Sequence, residues 1–168
     1  FNLYNINELD GELLIDDLSI NYDKMKTELS LVKNKIQIKE GRFILWDVLL
    51  KGTLLDLKSY GEGNIFKEFM VNNVFNINAN FFSAYSKKII KSEGFVKGVL
   101  SLNNFSNKFN YEFYLLGKKI KIDYKDLPGL IEDTNFRISY SDSKLFIERM
   151  KGVFARGVFD MSGQVFFK

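Results

Sequence analysis

Along most of this chain apolar and polar residues alternate with a period of two, the spacing of a half-buried β-strand whose successive side chains point to opposite faces. In Lys35-Ile36-Gln37-Ile38-Lys39 the isoleucines share one face and the polar residues the other. Asn76 to Phe81, Phe109 to Phe113 and Lys119 to Tyr124 alternate in the same way. Turn signals between such runs place the reversals. Two short strands are expected between Leu3 and Tyr22 around Asp10-Gly11-Glu12, then a polar loop to Thr27, a strand at Glu28 to Leu31 and a turn at Asn34-Lys35. Further reversals are expected at Glu40-Gly41-Arg42, Tyr60 to Gly63, Glu93-Gly94, Asn103-Asn104 with Ser106-Asn107, Leu127-Pro128-Gly129-Leu130 and Ser141-Asp142-Ser143, while Leu115 to Lys118 joins two alternating runs. Only Phe66 to Phe75 also fits a helix, through Phe66, Phe69, Met70 and Val74; Asn72-Asn73 and the alternation that follows favour a strand.

The pattern also repeats. The stretch from Lys35 to Ile65 returns about a hundred residues later as Asn135 to Val165, with Lys51-Gly52 and Gly63 matched by Lys151-Gly152 and Gly163. Self-similar alternating strands predict an extended β architecture. With no linker or shift in composition, residues 1–168 read as a single continuous β array of twelve to sixteen strands. An open sheet of that many strands would be roughly 55 to 75 Å wide, and such sheets curl or split. The chain begins at Phe1 in strand-like sequence, which reads as a fragment of a longer protein.

Composition adds one anomaly. Seventeen Phe and eight Tyr are spread from end to end, which predicts a long apolar surface instead of one compact centre. The formal charge of +3 arises from 24 basic and 21 acidic residues that are interspersed, so no single-sign field is expected. No apolar run approaches the ~20 residues of a membrane-spanning helix.

The available chemistry is narrow. With no histidine and no cysteine, the usual general base, thiol nucleophile, disulfide and principal metal ligands are missing, so a non-enzymatic role without cofactor or metal is expected. The adjacent acids Asp16-Asp17 and Glu132-Asp133 would point to opposite faces of a strand and read as solvated turn charges. Gly61-Glu62-Gly63 lacks the remainder of a phosphate loop and reads as a bend. Lys87, Lys88 and Lys91, and Lys118, Lys119, Lys121 and Lys125, read as a solvated outer face, with no nucleic-acid partner.

What recurs in nearly every strand is the apolar face: Ile36, Ile38, Ile77, Ala79, Phe81, Phe109, Tyr111, Phe113, Ile120, Ile122, Phe136, Ile138, Tyr140, Leu145 and Ile147. It is either the core between two closed sheets or the lining of an open apolar groove for acyl chains.

The step from an alternating strand ending in an acid, to Lys-Gly, to Gly-x-Val/Ile occurs twice: Ile44-Leu45-Trp46-Asp47 to Lys51-Gly52 to Gly63-Asn64-Ile65, and Leu145-Phe146-Ile147-Glu148 to Lys151-Gly152 to Gly163-Gln164-Val165. In this the chain resembles the TamB and AsmA-like proteins of the Gram-negative envelope. The resemblance implies an all-β fold, a long, mostly antiparallel sheet folded lengthwise into a β-taco around an apolar groove. It also implies a periplasmic location, with anchorage to the inner membrane by a segment not present here. The expected role is to carry phospholipid between the membranes or to assist outer-membrane protein assembly, with a BamA-like partner engaged through a region outside this fragment. The contrasting reading is a closed β-sandwich or β-solenoid interaction module of adhesin type.

Overall fold

The computed structural model describes residues 11–13, 19–22, 27–64, 67–106 and 108–167. The twelve strands are β1 (Gly11–Leu13), β2 (Ser19–Tyr22), β3 (Thr27–Lys33), β4 (Ile36–Lys39), β5 (Arg42–Gly52), β6 (Leu55–Gly63), β7 (Phe69–Asn78), β8 (Ile89–Phe105), β9 (Lys108–Tyr124), β10 (Ile131–Ser141), β11 (Lys144–Phe154) and β12 (Gly157–Phe166). The one helix among the described residues, α1 (Asn80–Tyr85), connects β7 to β8.

All the strands join one antiparallel sheet, which is not closed into a barrel and curves in the manner of a taco. The registers reduce the twelve strands to ten positions. Both β3 and β4 pair with β5 on one continuous line, from Leu29↔Gly52 to Lys39↔Arg42, so they are two halves of one strand. Asn34-Lys35 interrupts this strand without reversing it, and the Trp46 N–H donates to the Lys35 carbonyl at 3.1 Å. β1 and β2 lie on a common line against β4 and β3 in the same way. Every later strand pairs with its predecessor, giving an up-and-down meander. Ten positions at ~4.8 Å make a sheet about 43 Å wide.

Two-residue connections set much of this register. Glu40-Gly41, Asp142-Ser143 and Ala155-Arg156 all have positive φ at both positions, the geometry of a type I′ turn, whose twist matches that of the flanking strands. Only the first contains glycine.

Several turn signals mark bulges or strand interiors instead of reversals. Gly11 opens β1 opposite Ile38, while Asp10 lies outside the described residues. Tyr60 to Gly63 completes β6, and the chain reverses only after it, where the Asn64 N–H donates to the Glu68 carbonyl at 2.6 Å. Glu93-Gly94 is a bulge inside the 17-residue β8, which reverses only after Phe105. Gly94 has φ 107°, and a side chain there would meet the carbonyl oxygens of Lys118 and Lys119 at 2.9 and 2.5 Å. The two alternating runs joined through Leu115 to Lys118 form one 17-residue strand, β9, with Lys119 at φ 49° in its bulge. Strand is right for 69–75, whereas Ile65 and Phe66 lie outside the described residues. The alternation expected to run on to Phe81 stops at Asn78, where the Asn78 side-chain oxygen accepts from the Asn80 N–H at 3.0 Å and α1 begins.

The repeat holds in topology but not in glycine positions. β4–β5–β6 and β10–β11–β12 are both antiparallel triplets with an I′ turn after the first strand. Gly52 ends β5, but Gly152 falls two residues before the end of β11. Gly63 is buried against Phe69 with φ 149°, whereas Gly163 faces open space.

The tightest packing is small and lies where α1 covers the sheet. Ala79, Val96 and Ile120 are buried there, with Ile77, Phe82, Leu115, Ile122 and Phe136 packed around them. Ser92, 1% exposed, donates to the Ala79 carbonyl at 2.6 Å and ties the helix to β8.

Candidate functional site: the apolar face of the sheet

Residues directly opposite each other in neighbouring strands share a face, so the registers show which side chains form a common surface. One row crosses the sheet as Leu31, Leu50, Leu57, Phe75, Gly98, Leu115, Ile138, Ile147 and Gly163. The next runs Val48, Ser59, Asn73, Leu100, Phe113, Tyr140, Leu145 and Val165. Flanking them are Ile36–Leu45–Gly61–Val71–Leu102–Tyr111 and Ile38–Phe43–Gly63–Phe69–Asn104–Phe109. A fifth row, nearest α1, is Leu55–Ile77–Val96–Gly117–Phe136–Met150–Met161.

These rows bring eleven of the expected lining residues onto one face: Ile36, Ile38, Ile77, Phe109, Tyr111, Phe113, Phe136, Ile138, Tyr140, Leu145 and Ile147. The other four lie at the α1 end. Ala79 and Ile120 are sealed in the closed core, Ile122 packs against it, and Phe81 belongs to the helix, where its ring meets Phe82 edge-on at 6.1 Å. The same face includes Leu45, Val71, Phe75, Leu100, Leu102 and Leu115, which sequence reasoning did not single out. Their signal was the alternation through Leu100 and Leu102, obscured by the hairpin expected at Glu93-Gly94.

Two features shape the surface. Large rings lie beside glycines: a side chain on Gly98 would strike the Phe75 ring, and one on Gly117 the Phe136 ring, so both rings lie across the neighbouring strand. At the end of the strands remote from α1, Tyr140 stacks between Tyr111 and Phe113, with ring centroids 5.0 and 5.3 Å apart, and Phe167 lies 6.0 Å from it. The Tyr111 hydroxyl donates to that of Tyr140 at 3.2 Å, and this bond holds the Tyr111 phenol above its ordinary pKa.

The apolar face also has one polar notch. Ser59 donates to the Asn73 side-chain oxygen at 2.7 Å, and the Asn73 amide donates to the Leu100 carbonyl at 3.3 Å. The pair satisfies itself, so it interrupts the row without leaving a buried group unpaired.

The opposite face is mixed: it exposes Trp46, Tyr60, Met70, Phe95 and Tyr114 and also carries the ion pairs. Lys58 meets Asp47 at 2.6 Å, Lys121 meets Glu132 at 2.9 Å and Arg149 meets Asp160 at 2.8 Å. Glu132 of the Glu132-Asp133 pair is thus an ion-pair partner of Lys121, while Asp16-Asp17 lies outside the described residues. The hydrogen bond donated by Lys91 lowers the Glu93 pKa, and the one Lys121 donates to Glu132 raises the Lys121 pKa. Both shifts are those of exposed ion pairs on a wetted surface.

Most of the inner rows are only half-buried; among the described residues the fully buried hydrophobics are Leu29, Ala79, Val96 and Ile120. A closed two-sheet core would bury whole rows. Comparison with protein-family models, curated proteins and solved structures gave no match. The reading of the site therefore rests on this surface.

Proposed function

We propose that the chain is a groove segment of a lipid-carrying envelope protein, of the kind its sequence pattern resembles, and that phospholipid acyl chains lie along the apolar rows. The observation that carries this reading is the continuity of those rows across the single sheet, on a face that α1 covers only at one end. Each methylene moved from water onto such a surface gains ~0.8 kcal/mol when fully covered, so an acyl chain has ample driving force. Hydrophobic and dispersion contacts fix no register, which suits a cargo that slides.

The rows run perpendicular to the strands, so they continue from one strand position to the next without meeting backbone polar groups. In this reading the ion pairs of the outer face keep the segment wetted, and further sheet added at either edge would lengthen the groove. The periplasmic location, the inner-membrane anchor and a BamA-like partner belong to the same proposal. A closed β-sandwich module is less well supported, because the described residues form one sheet with no second sheet against it.

Native mass spectrometry of the purified chain tests the proposal. Co-purifying phospholipid is the expected result. A lipid-free protein that also takes up none from added vesicles would remove the basis for it.

A further inference from the structure

The outer face of a curled sheet should be convex, yet here it carries a hollow of about 660 Å³. Its rim includes Lys118 of β9, Asn135 and Arg137 of β10, and Glu148, Arg149 and Lys151 of β11. The strands that line it are bulged. The register of β10 shifts between Thr134 and Phe136 and again between Arg137 and Ile138, that of β11 shifts between Ile147 and Met150, and Lys119 of β9 has φ 49°. Bulges bend a strand locally and re-aim its side chains.

The charge arrangement is unfavourable for the empty protein. Arg137 stands directly opposite Arg149, and like charges at such positions repel. Asp160 takes Arg149 through two hydrogen bonds, Nε to Oδ1 at 3.3 Å and Nη2 to Oδ2 at 2.8 Å. That contact holds one guanidinium in place. Among the described residues, Lys118, Arg137 and Lys151 form no ion pair. Asn135 accepts from the Lys119 N–H at 3.2 Å, which fixes the turn of backbone beneath them. Four cations thus face Glu148 and Asp160, an excess of two positive charges around one hollow.

We propose that this hollow binds a phosphate group, with Arg137 as its principal ligand and Lys118 and Lys151 as flanking charges. A guanidinium presents a planar fork that matches two phosphate oxygens, and a phosphate monoester or pyrophosphate group supplies the opposing charge that the Arg137–Arg149 rung lacks. The phosphate is that of a lipid headgroup or of a free phosphorylated molecule. The site lies on the face opposite the apolar rows and does not depend on what they carry.

The test uses the whole chain at low ionic strength with two probes, inorganic pyrophosphate and vesicles of phosphatidylcholine with one quarter phosphatidic acid, whose headgroup is a phosphate monoester. Pyrophosphate should shift the amide resonances of Lys118, Asn135 and Arg137 saturably. Arg137→Gln should weaken this binding about tenfold or more, as loss of hydrogen bonds to a charged group does. Lys151→Gln should weaken it less, and the distant Lys39→Gln should not change it. Arg137 is exposed, so unchanged resonances elsewhere will show that the variant folds. Sedimentation with the anionic vesicles but not with pure phosphatidylcholine, lost in Arg137→Gln, would identify a lipid headgroup. Pyrophosphate binding without sedimentation would identify a free phosphate compound. Equal responses of the wild type and Arg137→Gln to both probes, or no response to either, would overturn the proposal.

Discussion

Replacing Ile138 by Asp puts a carboxylate in the middle of the apolar face, between Leu115 and Ile147. Full burial of an isoleucine is worth about 1.5–3 kcal/mol, and Ile138 is only half-buried, so the fold should lose about 1–2 kcal/mol. A domain with an ordinary margin of about 5–15 kcal/mol survives that. An acyl chain crossing the same position must strip water from the charge, which costs about 3 kcal/mol or more. That equals the gain from roughly four methylenes and corresponds to about a 100-fold loss of occupancy. Urea unfolding would give the first quantity and native mass spectrometry of bound phospholipid the second. Ser139→Asp, one residue along and on the opposite face, should leave lipid occupancy unchanged. Lipid retained in folded Ile138→Asp, or lost equally in both variants, would refute the reasoning.

Three further outcomes follow from particular contacts. Gly94→Ala should destabilise the protein by about 2 kcal/mol or more in urea unfolding, because φ 107° is strained for any side chain and the new methyl meets two carbonyl oxygens. Ala155→Asn combined with Arg156→Gly should raise the urea midpoint by the equivalent of about 1–2 kcal/mol, since φ values of 47° and 71° suit Asn-Gly and strain the native pair. The Arg149 hydrogen bond holds the Asp160 pKa below its ordinary value, so this carboxylate stabilises the fold above the unfolded pKa. Its contribution is lost as pH falls through the folded pKa. Urea midpoints of the wild type and Asp160→Asn should therefore differ near neutrality and converge in acid.

Much of the fold was legible in the sequence, because a two-residue period is a direct record of which face is wet. The eleven apolar residues that share a face were found from that alternation alone. What the sequence concealed was the difference between a turn and a bulge. Glu93-Gly94 has the residues of a hairpin, and only the pairing of Glu93 with Lys121 and Phe95 with Lys118 shows that the strand continues through it. The converse error arises at Ala155-Arg156, which turns the chain without a turn residue. Ala79 and Phe81 continue an alternating pattern, but the chain at that point leaves the edge of β7 and crosses to the start of β8. A helical turn with Ala79 buried beneath it makes that crossing. The hollow around Arg137 could not be read from the sequence, since its basic residues come together only through the registers of three bulged strands.

The central claim is that lipid contacts one face of the sheet and not the other. Photoreactive residues placed singly at positions 111 to 116 of β9, Tyr111, Glu112, Phe113, Tyr114, Leu115 and Leu116, test it most directly. Cross-linking to phospholipid should be strong at Tyr111, Phe113 and Leu115 and weak at Glu112, Tyr114 and Leu116, a sawtooth with the period of the strand. Uniform labelling, no labelling, or the opposite phase would contradict the account.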